Sequence, residues 1–210
     1  MLSVMGLYED AVLPRAIDLV CGARSFDSLR ARALAPARGE VVEIGFGSGT
    51  NLPHYPDAVT AVAAVEPVGR ARELARSRLA SSSIPVTFVG LEGDRIDAVD
   101  DSCDTAVSTF TLCTVPDPAA TLAELRRILR PGGTLLVVEH GIAPGAAMAR
   151  TQRAIEPLQR RLAGGCHLTR DPLQMLRSAR FEVIQSKVGY LGARTPWGYL
   201  TAATAVSPPR

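Results

Sequence analysis

The chain has 210 residues, 47% hydrophobic and 21% charged, which suits one domain with a sizeable core and excludes a disordered chain. A net charge of +2 is too small for a nucleic-acid binder, and no stretch approaches the ~20 apolar residues that span a bilayer. The cysteines (Cys21, Cys103, Cys113, Cys166) are scattered, without a CxxC pair or metal-ligand spacing, so neither a disulfide framework nor a metal site is expected.

The N-terminal stretch has no basic lead and meets Glu9 and Asp10 before any useful apolar run, so a secretory signal is not expected and the predicted location is cytoplasmic. Residues 7–35 read as one or two short helices, with Phe26, Leu29, Ala33 and Leu34 at helical spacing. "EVVEIG" (40–45) and "AVTAVAAVEP" (58–67) have the β-branched, apolar character of strands buried on both faces. The stretch 68–82 repeats apolar residues at 68, 71, 74, 75 and 79 with arginines opposite, an amphipathic helix. "IPVTFVG" and "DTAVSTF" are the third and fourth strands.

Asp117 and Pro118 open a helix with Leu122, Leu125, Ile128 and Leu129 as its buried stripe, and Pro131-Gly132-Gly133 is read as its stop. "TLLVVEH" then gives a fifth buried strand. A helix at about 145–162, a turn "AGGCH" and a helix from "TRDPLQMLRSA" follow. "FEVIQSKVGY" and "GYLTAATAVS" close the chain as strands joined by a link too short for a crossover. The expected fold is a Rossmann-like, doubly wound α/β domain. It has a mixed sheet of about seven strands, parallel apart from a C-terminal antiparallel hairpin, and helices on both faces. Ligands of such sheets lie beyond the carboxyl ends of the strands.

The turn "EIGFGSGTN" follows the first strand. Gly45, Gly47 and Gly49 allow a tight bend and a close approach of ligand to backbone. Glu66, ending the second strand, is placed to accept hydrogen bonds from both hydroxyls of an adenosine ribose. Nicotinamide enzymes use the same device, but three features disfavour a dinucleotide. Thr50 stands where the G-x-G-x-x-G/A fingerprint needs a small residue; Pro53 and Pro56 interrupt the following helix; and Lys187, the only lysine, has Val183 rather than tyrosine four residues before it.

"EIGFGSGTN", "VEP" and the run from "LEGD" to "RPGGTLLVVEH" resemble the class I S-adenosylmethionine (SAM)-dependent methyltransferases. The likeness is greatest to the ubiquinone/menaquinone methyltransferases and, through "TNLPHYP" and "GGCHLTRD", to the thiol-methyltransferase-like branch. The resemblance implies SAM as cofactor, S-adenosylhomocysteine as product and a small, hydrophobic acceptor of thiol, phenol or quinol type. A SAM-binding module without turnover is the alternative. The resemblance also implies a helical cap at 1–39, a SAM-binding core at 40–140, and acceptor-pocket helices with the hairpin at 141–210.

Carried over residue by residue, it implies that Glu43, Gly45, Phe46, Gly47, Gly49 and Asn51 surround the methionine part of the cofactor. Glu66 takes the ribose and Pro67 borders the adenine. Glu92 and Gly93 meet the base, with Asp94 the alternative to Glu92, and Thr109, Phe110 and Thr111 border the sulfonium. His140, leaving the fifth strand at the ligand-bearing edge, and His167, in the "AGGCH" turn, are the candidate catalytic bases for an acceptor that must lose a proton. Packing explains Cys103 and Cys113, and no sequence neighbour of Cys166 would lower its thiol pKa.

Overall fold

A computed structural model describes residues 8–90 and 96–208. Among these residues, seven strands form one sheet in the order β3-β2-β1-β4-β5-β7-β6. The strands are β1 (Gly39–Ile44), β2 (Val59–Val65), β3 (Val86–Phe88), β4 (Cys103–Thr109), β5 (Leu129–His140), β6 (Glu182–Tyr190) and β7 (Tyr199–Val206). The first five pair in parallel, and β7 runs antiparallel between β5 and β6, as a short hairpin link requires.

The helices are α1 (Leu13–Cys21), α2 (Asp27–Leu34), α3 (Gly69–Ser81), α4 (Pro118–Ile128), α5 (Ala146–Leu162) and α6 (Pro172–Ser178). Two of them begin where their sequence signals predict. The Asp117 carboxylate accepts the N–H groups of Ala119 and Ala120 at 2.9 and 3.0 Å, and Asp171 accepts that of Gln174 at 3.1 Å. In each case a proline follows, where its missing N–H costs nothing. No helix among the described residues is long and apolar enough to cross a membrane.

Two hydrophobic clusters bury the two faces of the sheet. One packs Val42, Ile44, Leu122, Leu125, Ile128, Leu176 and Phe181 together, joining the sheet to α4 and α6. The other joins Leu34 of α2 and Ala75 of α3 to Val41, Val62 and Leu136. This layering covers both faces of the parallel core and leaves the strand ends as the open edge.

Two boundaries differ from expectation. Helix α4 stops at Ile128, and β5 already begins at Leu129, running through Pro131-Gly132-Gly133 instead of starting after it. The ladder absorbs the extra residues as a bulge, with Cys103 opposite Leu129 but Thr105 opposite Thr134. Gly132 takes φ +79°, its N–H finds Ser207 O at 2.8 Å, and Gly133 O accepts the Ser207 N–H at 2.9 Å, so the prolyl-glycine stretch stays tied to the far end of the chain. The third strand is only Val86–Phe88, shorter than "IPVTFVG" suggests, because Pro85 lacks the N–H to extend the ladder.

Candidate functional site

The turn after β1 takes left-handed φ at all three glycines: +64° at Gly45, +58° at Gly47 and +76° at Gly49. Their surroundings differ. A Cβ on Gly45 would lie 2.0 Å from Thr111 Oγ1, so this glycine lets the β1 and β4 loops touch. A Cβ on Gly47 would meet nothing closer than Gly45 O at 3.8 Å, which leaves room for a ligand against the backbone. Phe46 turns into the core, with its ring centroid 5.6 Å from that of Phe88, so its ring supports the turn from beneath. After Asn51 the chain makes only a 3-10 turn, Leu52–His54, with Pro53 inside it. His54 pairs with Asp27 at 3.5 Å.

Glu66, buried at the end of β2, accepts the Gly47 N–H at 2.7 Å through Oε2 and the Val68 N–H at 2.8 Å through Oε1. Burial pushes its carboxyl pKa up, against the pull of these two amides. Each oxygen retains a second lone pair, so two hydroxyls can still be accepted. Pro67 follows at the exposed rim. Glu92 and Gly93, with Asp94, lie outside the described residues.

Beneath the turn lies a closed polar chain. Glu43 accepts the Asn51 amide at 2.8 Å and the Tyr55 hydroxyl at 2.7 Å. Burial raises its carboxyl to about 7. Asn51 also donates to Thr109 Oγ1 at 2.9 Å and accepts from Arg30 Nε at 3.0 Å. Arg30 is 3% exposed, so α2 contributes a buried cation to the floor of the site. Opposite, Arg78 bonds Asp18 Oδ1 at 2.9 Å and Ser48 O at 3.0 Å, tying α1 to the glycine turn.

The loop after β4 makes the other wall. Phe110 is a non-glycine residue at φ +55°, a conformation held only where surroundings impose it. Its ring packs edge-on to Phe26 at 5.5 Å and lies 5.1 Å from the His140 ring. Glu139 imposes the turn that follows, accepting the N–H groups of Thr111, Leu112 and Cys113 at 2.9, 2.9 and 3.1 Å and the Ser108 hydroxyl at 2.8 Å. Thr111 in turn bonds Ile44 O at 3.2 Å. Thr109, Phe110 and Thr111 therefore stand beside the glycine turn.

The histidines separate. His140 Nδ1 is 3.7 Å from both Cys113 Sγ and Cys166 Sγ, and the two sulfurs are 3.7 Å apart. Cys166 accordingly departs from expectation: its thiol is lowered to about 5, chiefly by hydrogen bonding with Cys113 and then with His140. The neighbours that do this come from β5 and the β4 loop, which local sequence does not reveal. His167 Nδ1 instead meets Glu156 Oε1 at 3.2 Å, while its backbone N–H donates to Cys113 O at 2.8 Å. Tyr8 folds over α5, its hydroxyl donating to Leu162 O at 2.6 Å. Of the apolar residues of 141–170, Leu158 and Leu162 are exposed, while Ile142, Met148 and Ile155 are half-buried.

Arg30, Tyr55 and Glu139 escape a reading of sequence alone. Glu139 leaves a trace there, since an acid inside "TLLVVEH" must find buried donors. Arg30 and Tyr55 leave none.

Residues 42–137 match the methyltransferase domain family. Thiol S-methyltransferase TMT1B of Homo sapiens is 34% identical over 160 residues, covering 73% of this chain and 65% of that protein. Demethylmenaquinone methyltransferase of Clavibacter sepedonicus is 32% identical over 114 residues, covering 54% of this chain and 46% of that one. The chain thus spans 61–65% of the length of the TMT1B relatives from rat and human. Among solved structures, a SAM-dependent methyltransferase from Thermotoga maritima superposes with a TM-score of 0.68 at 21% identity, over 98% of this chain and all of that one. One from Mesorhizobium loti gives 0.65 at 18% identity, over 88% and 98%.

Proposed function

We propose that the chain is a class I SAM-dependent methyltransferase that transfers the methyl group to a small, apolar acceptor of thiol, phenol or quinol type. Thiols come first, because relatives named thiol S-methyltransferases share about a third of their matched residues with it. The observation that carries the reading is the joint between Glu66 and Gly47. It preforms an acid with free lone pairs beside an open glycine backbone. That pair suits a ribose next to a methionine tail.

In this reading Glu66 orients the ribose, and Pro67, Glu92 and Gly93 border the adenine. The backbone of Gly45, Gly47 and Gly49 receives the methionine part. Glu43 and Asn51 hold that backbone from below rather than touching the ligand, and Phe46 supports it from the core. Thr109, Phe110 and Thr111 close the side on which the transferable methyl lies. SAM supplies an electrophilic methyl group on a sulfonium. What remains for the protein is to align the acceptor and exclude water, and good alignment is worth up to ~7–11 kcal/mol.

The N-terminal cap (1–39) and the segment 141–210 would enclose the acceptor against the 40–140 core. His140, with its ring against Phe110, is the candidate base for a protic acceptor. His167 is paired to Glu156 and acts as a positioning residue for the loop that carries Cys166. The cysteines are all free thiols, which supports a reducing, cytoplasmic setting.

Calorimetry with SAM, S-adenosylhomocysteine and NAD tests the cofactor, and labelled methyl transfer to 1-hexanethiol, phenol and hydroquinone tests the acceptor class. Binding of NAD without SAM would overturn the reading. Binding of SAM with no transfer to any of the three would leave a binding module in its place.

A further inference from the structure

We propose that Cys113, His140 and Cys166 form a three-ligand site for a thiophilic divalent cation of the zinc class, whose fourth position takes the sulfur of a thiol acceptor. The three ligand atoms come from the β4 loop, the end of β5 and the turn after α5, and all lie within 4.8 Å of one another. The separations are 3.7 Å from Cys113 Sγ to Cys166 Sγ and 3.7 Å from each sulfur to His140 Nδ1.

Those distances are the edges of a tetrahedron. With metal–sulfur bonds of ~2.3 Å and a metal–nitrogen bond of ~2.0–2.1 Å, a tetrahedral ion sets its sulfurs ~3.8 Å apart and each sulfur ~3.6 Å from the nitrogen. The ligands as they stand need move by only about 0.1 Å from that geometry. Packing of small apolar residues does not require an imidazole nitrogen equidistant from two thiols.

The backbone around the three residues is fixed independently of any ion. Cys113 N–H is held by Glu139 at 3.1 Å, and Cys113 O accepts the N–H of His167 at 2.8 Å, which clamps the two cysteine-bearing loops together. Cys166 N–H bonds Ala163 O at 3.1 Å, and His140 is in register opposite Leu200 of β7. Such support from outside the ligand set gives a site its shape before metal arrives. Both cysteines are buried, and the half-buried His140 ring lies 5.1 Å from that of Phe110, so the site sits beside the wall that borders the transfer side.

Three protein ligands with one open position is the arrangement of a working ion rather than a structural one. Loading the site leaves both cysteines as thiolates, the proton that the pair still holds passing to solvent, with the imidazole bound as the neutral ligand. An acceptor thiol entering the fourth position likewise gives its proton to solvent, because a thiol on such an ion is deprotonated outright. The bound thiolate is the nucleophile. Its sulfur bonds to the methyl carbon as that carbon's bond to the SAM sulfonium breaks, S-adenosylhomocysteine leaves with the electron pair, and the neutral thioether formed is a poor ligand that dissociates. His140 is then a ligand with no lone pair to spare, and for thiols the ion takes over the work of a free base. The acceptor half of this inference rests on the methyl-transfer reading above; the ion site does not.

The test uses the full chain, reduced and stripped with EDTA, then titrated with cobalt(II) as a spectroscopic stand-in for zinc. One equivalent should produce thiolate-to-cobalt charge-transfer bands and the intense visible bands of a tetrahedral ion, and 1-hexanethiol should shift the visible bands. The double variant Cys113→Ser/Cys166→Ser should lose both sets, while Cys103→Ser keeps them. Because a double variant can fail to fold, a second measurement uses the wild-type chain: zinc should slow alkylation of Cys113 and Cys166 at least tenfold relative to Cys103. Absent bands, bands equal in the double variant, or unprotected thiols overturn the site. Bands indifferent to hexanethiol overturn its role toward the acceptor. A chain that methylates hexanethiol at full rate after stripping overturns the acceptor half but keeps the methyl-transfer reading. One that shows the bands yet methylates nothing keeps the ion site and overturns both the methyl-transfer reading and the acceptor half.

Discussion

The backbone N–H of Gly47 donates to Glu66 Oε2 at 2.7 Å, so the middle glycine of the turn after β1 is held by the acid that ends β2. Glu66 therefore has two duties: it shapes the turn, and it offers its remaining lone pairs to a ligand. Hydrogen bonds to a charged group are worth roughly 1.5–3 kcal/mol each. Glu66→Ala should weaken S-adenosylhomocysteine affinity by at least about tenfold. It should also lower the melting temperature of the ligand-free protein, because the Gly47 and Val68 amides lose their acceptor together. Calorimetry and a thermal melt read the two effects separately. Unchanged affinity in a folded variant would remove Glu66 from the cofactor site.

The glycines of the turn should separate by what their missing Cβ leaves room for. Gly45→Ala forces a methyl to within 2.0 Å of Thr111 Oγ1 at φ +64°, and should destabilise the fold whether or not ligand is present. Gly47→Ala meets open space, with only the left-handed φ to resist it, a cost of about 1–2 kcal/mol. It should fold with a normal circular dichroism spectrum and yet lose SAM affinity. If Gly47→Ala binds SAM as the parent does, the glycine serves the bend alone.

How far the sequence could be read depends on whether the physics was local. Strands β1, β2, β4 and β5 are visible because runs such as "EVVEI" and "TLLVV" admit no surface, and α4 and α6 are visible because Asp117-Pro118 and Asp171-Pro172 satisfy the first turn by themselves. Pro131-Gly132-Gly133 misleads because the partner that rescues it, Ser207, lies at the far end of the chain. The glycine turn and Glu66 were legible as a pair, each being the end of a strand. Arg30 under Asn51 was not, since a single arginine on a helix rich in arginine carries no mark of burial. The convergence of Cys113, His140 and Cys166 is a property of strand order and loop docking, which no spacing encodes.

Glu43 makes the stability of this protein pH-dependent in a stated direction. Its carboxyl is raised from the ordinary 4.5 to about 7 by burial, so the folded state keeps a proton that the unfolded chain has lost. The contribution is favourable below about 4.5 and is lost as pH rises towards 7. A separation of about 2.5 in pKa, at ~1.36 kcal/mol each, bounds the effect at roughly 3 kcal/mol. Glu66 and Glu139, also pushed up by burial, act with the same sign. Glu43→Gln keeps an acceptor for Asn51 and offers a donor to the Tyr55 oxygen. Its urea midpoint should fall less between pH 5 and pH 8 than that of the parent. An equal fall in both would show that Glu43 is already ionised in the fold.

His140 and His167 should part company when each is replaced. His140 lies against Phe110 with Nδ1 at 3.7 Å from two sulfurs, whereas His167 Nδ1 is engaged by Glu156. His140→Asn should lower methyl transfer to a protic acceptor while S-adenosylhomocysteine affinity stays within about twofold, because ligand and acceptor sides are served by different residues. An imidazole acting as base loses its lone pair on the acid side, so the same substitution should flatten the acid limb of the rate profile for a phenol. For a thiol the loss should be as deep, but with kcat falling in the EDTA-stripped parent as well. His167→Asn should act through the loop it positions, raising KM more than it lowers kcat, and Glu156→Gln should reproduce it, since Glu156 also holds Thr169 N at 2.8 Å. Full turnover at every pH in both histidine variants would mean that alignment alone carries the reaction, and neither side chain would then belong in the mechanism.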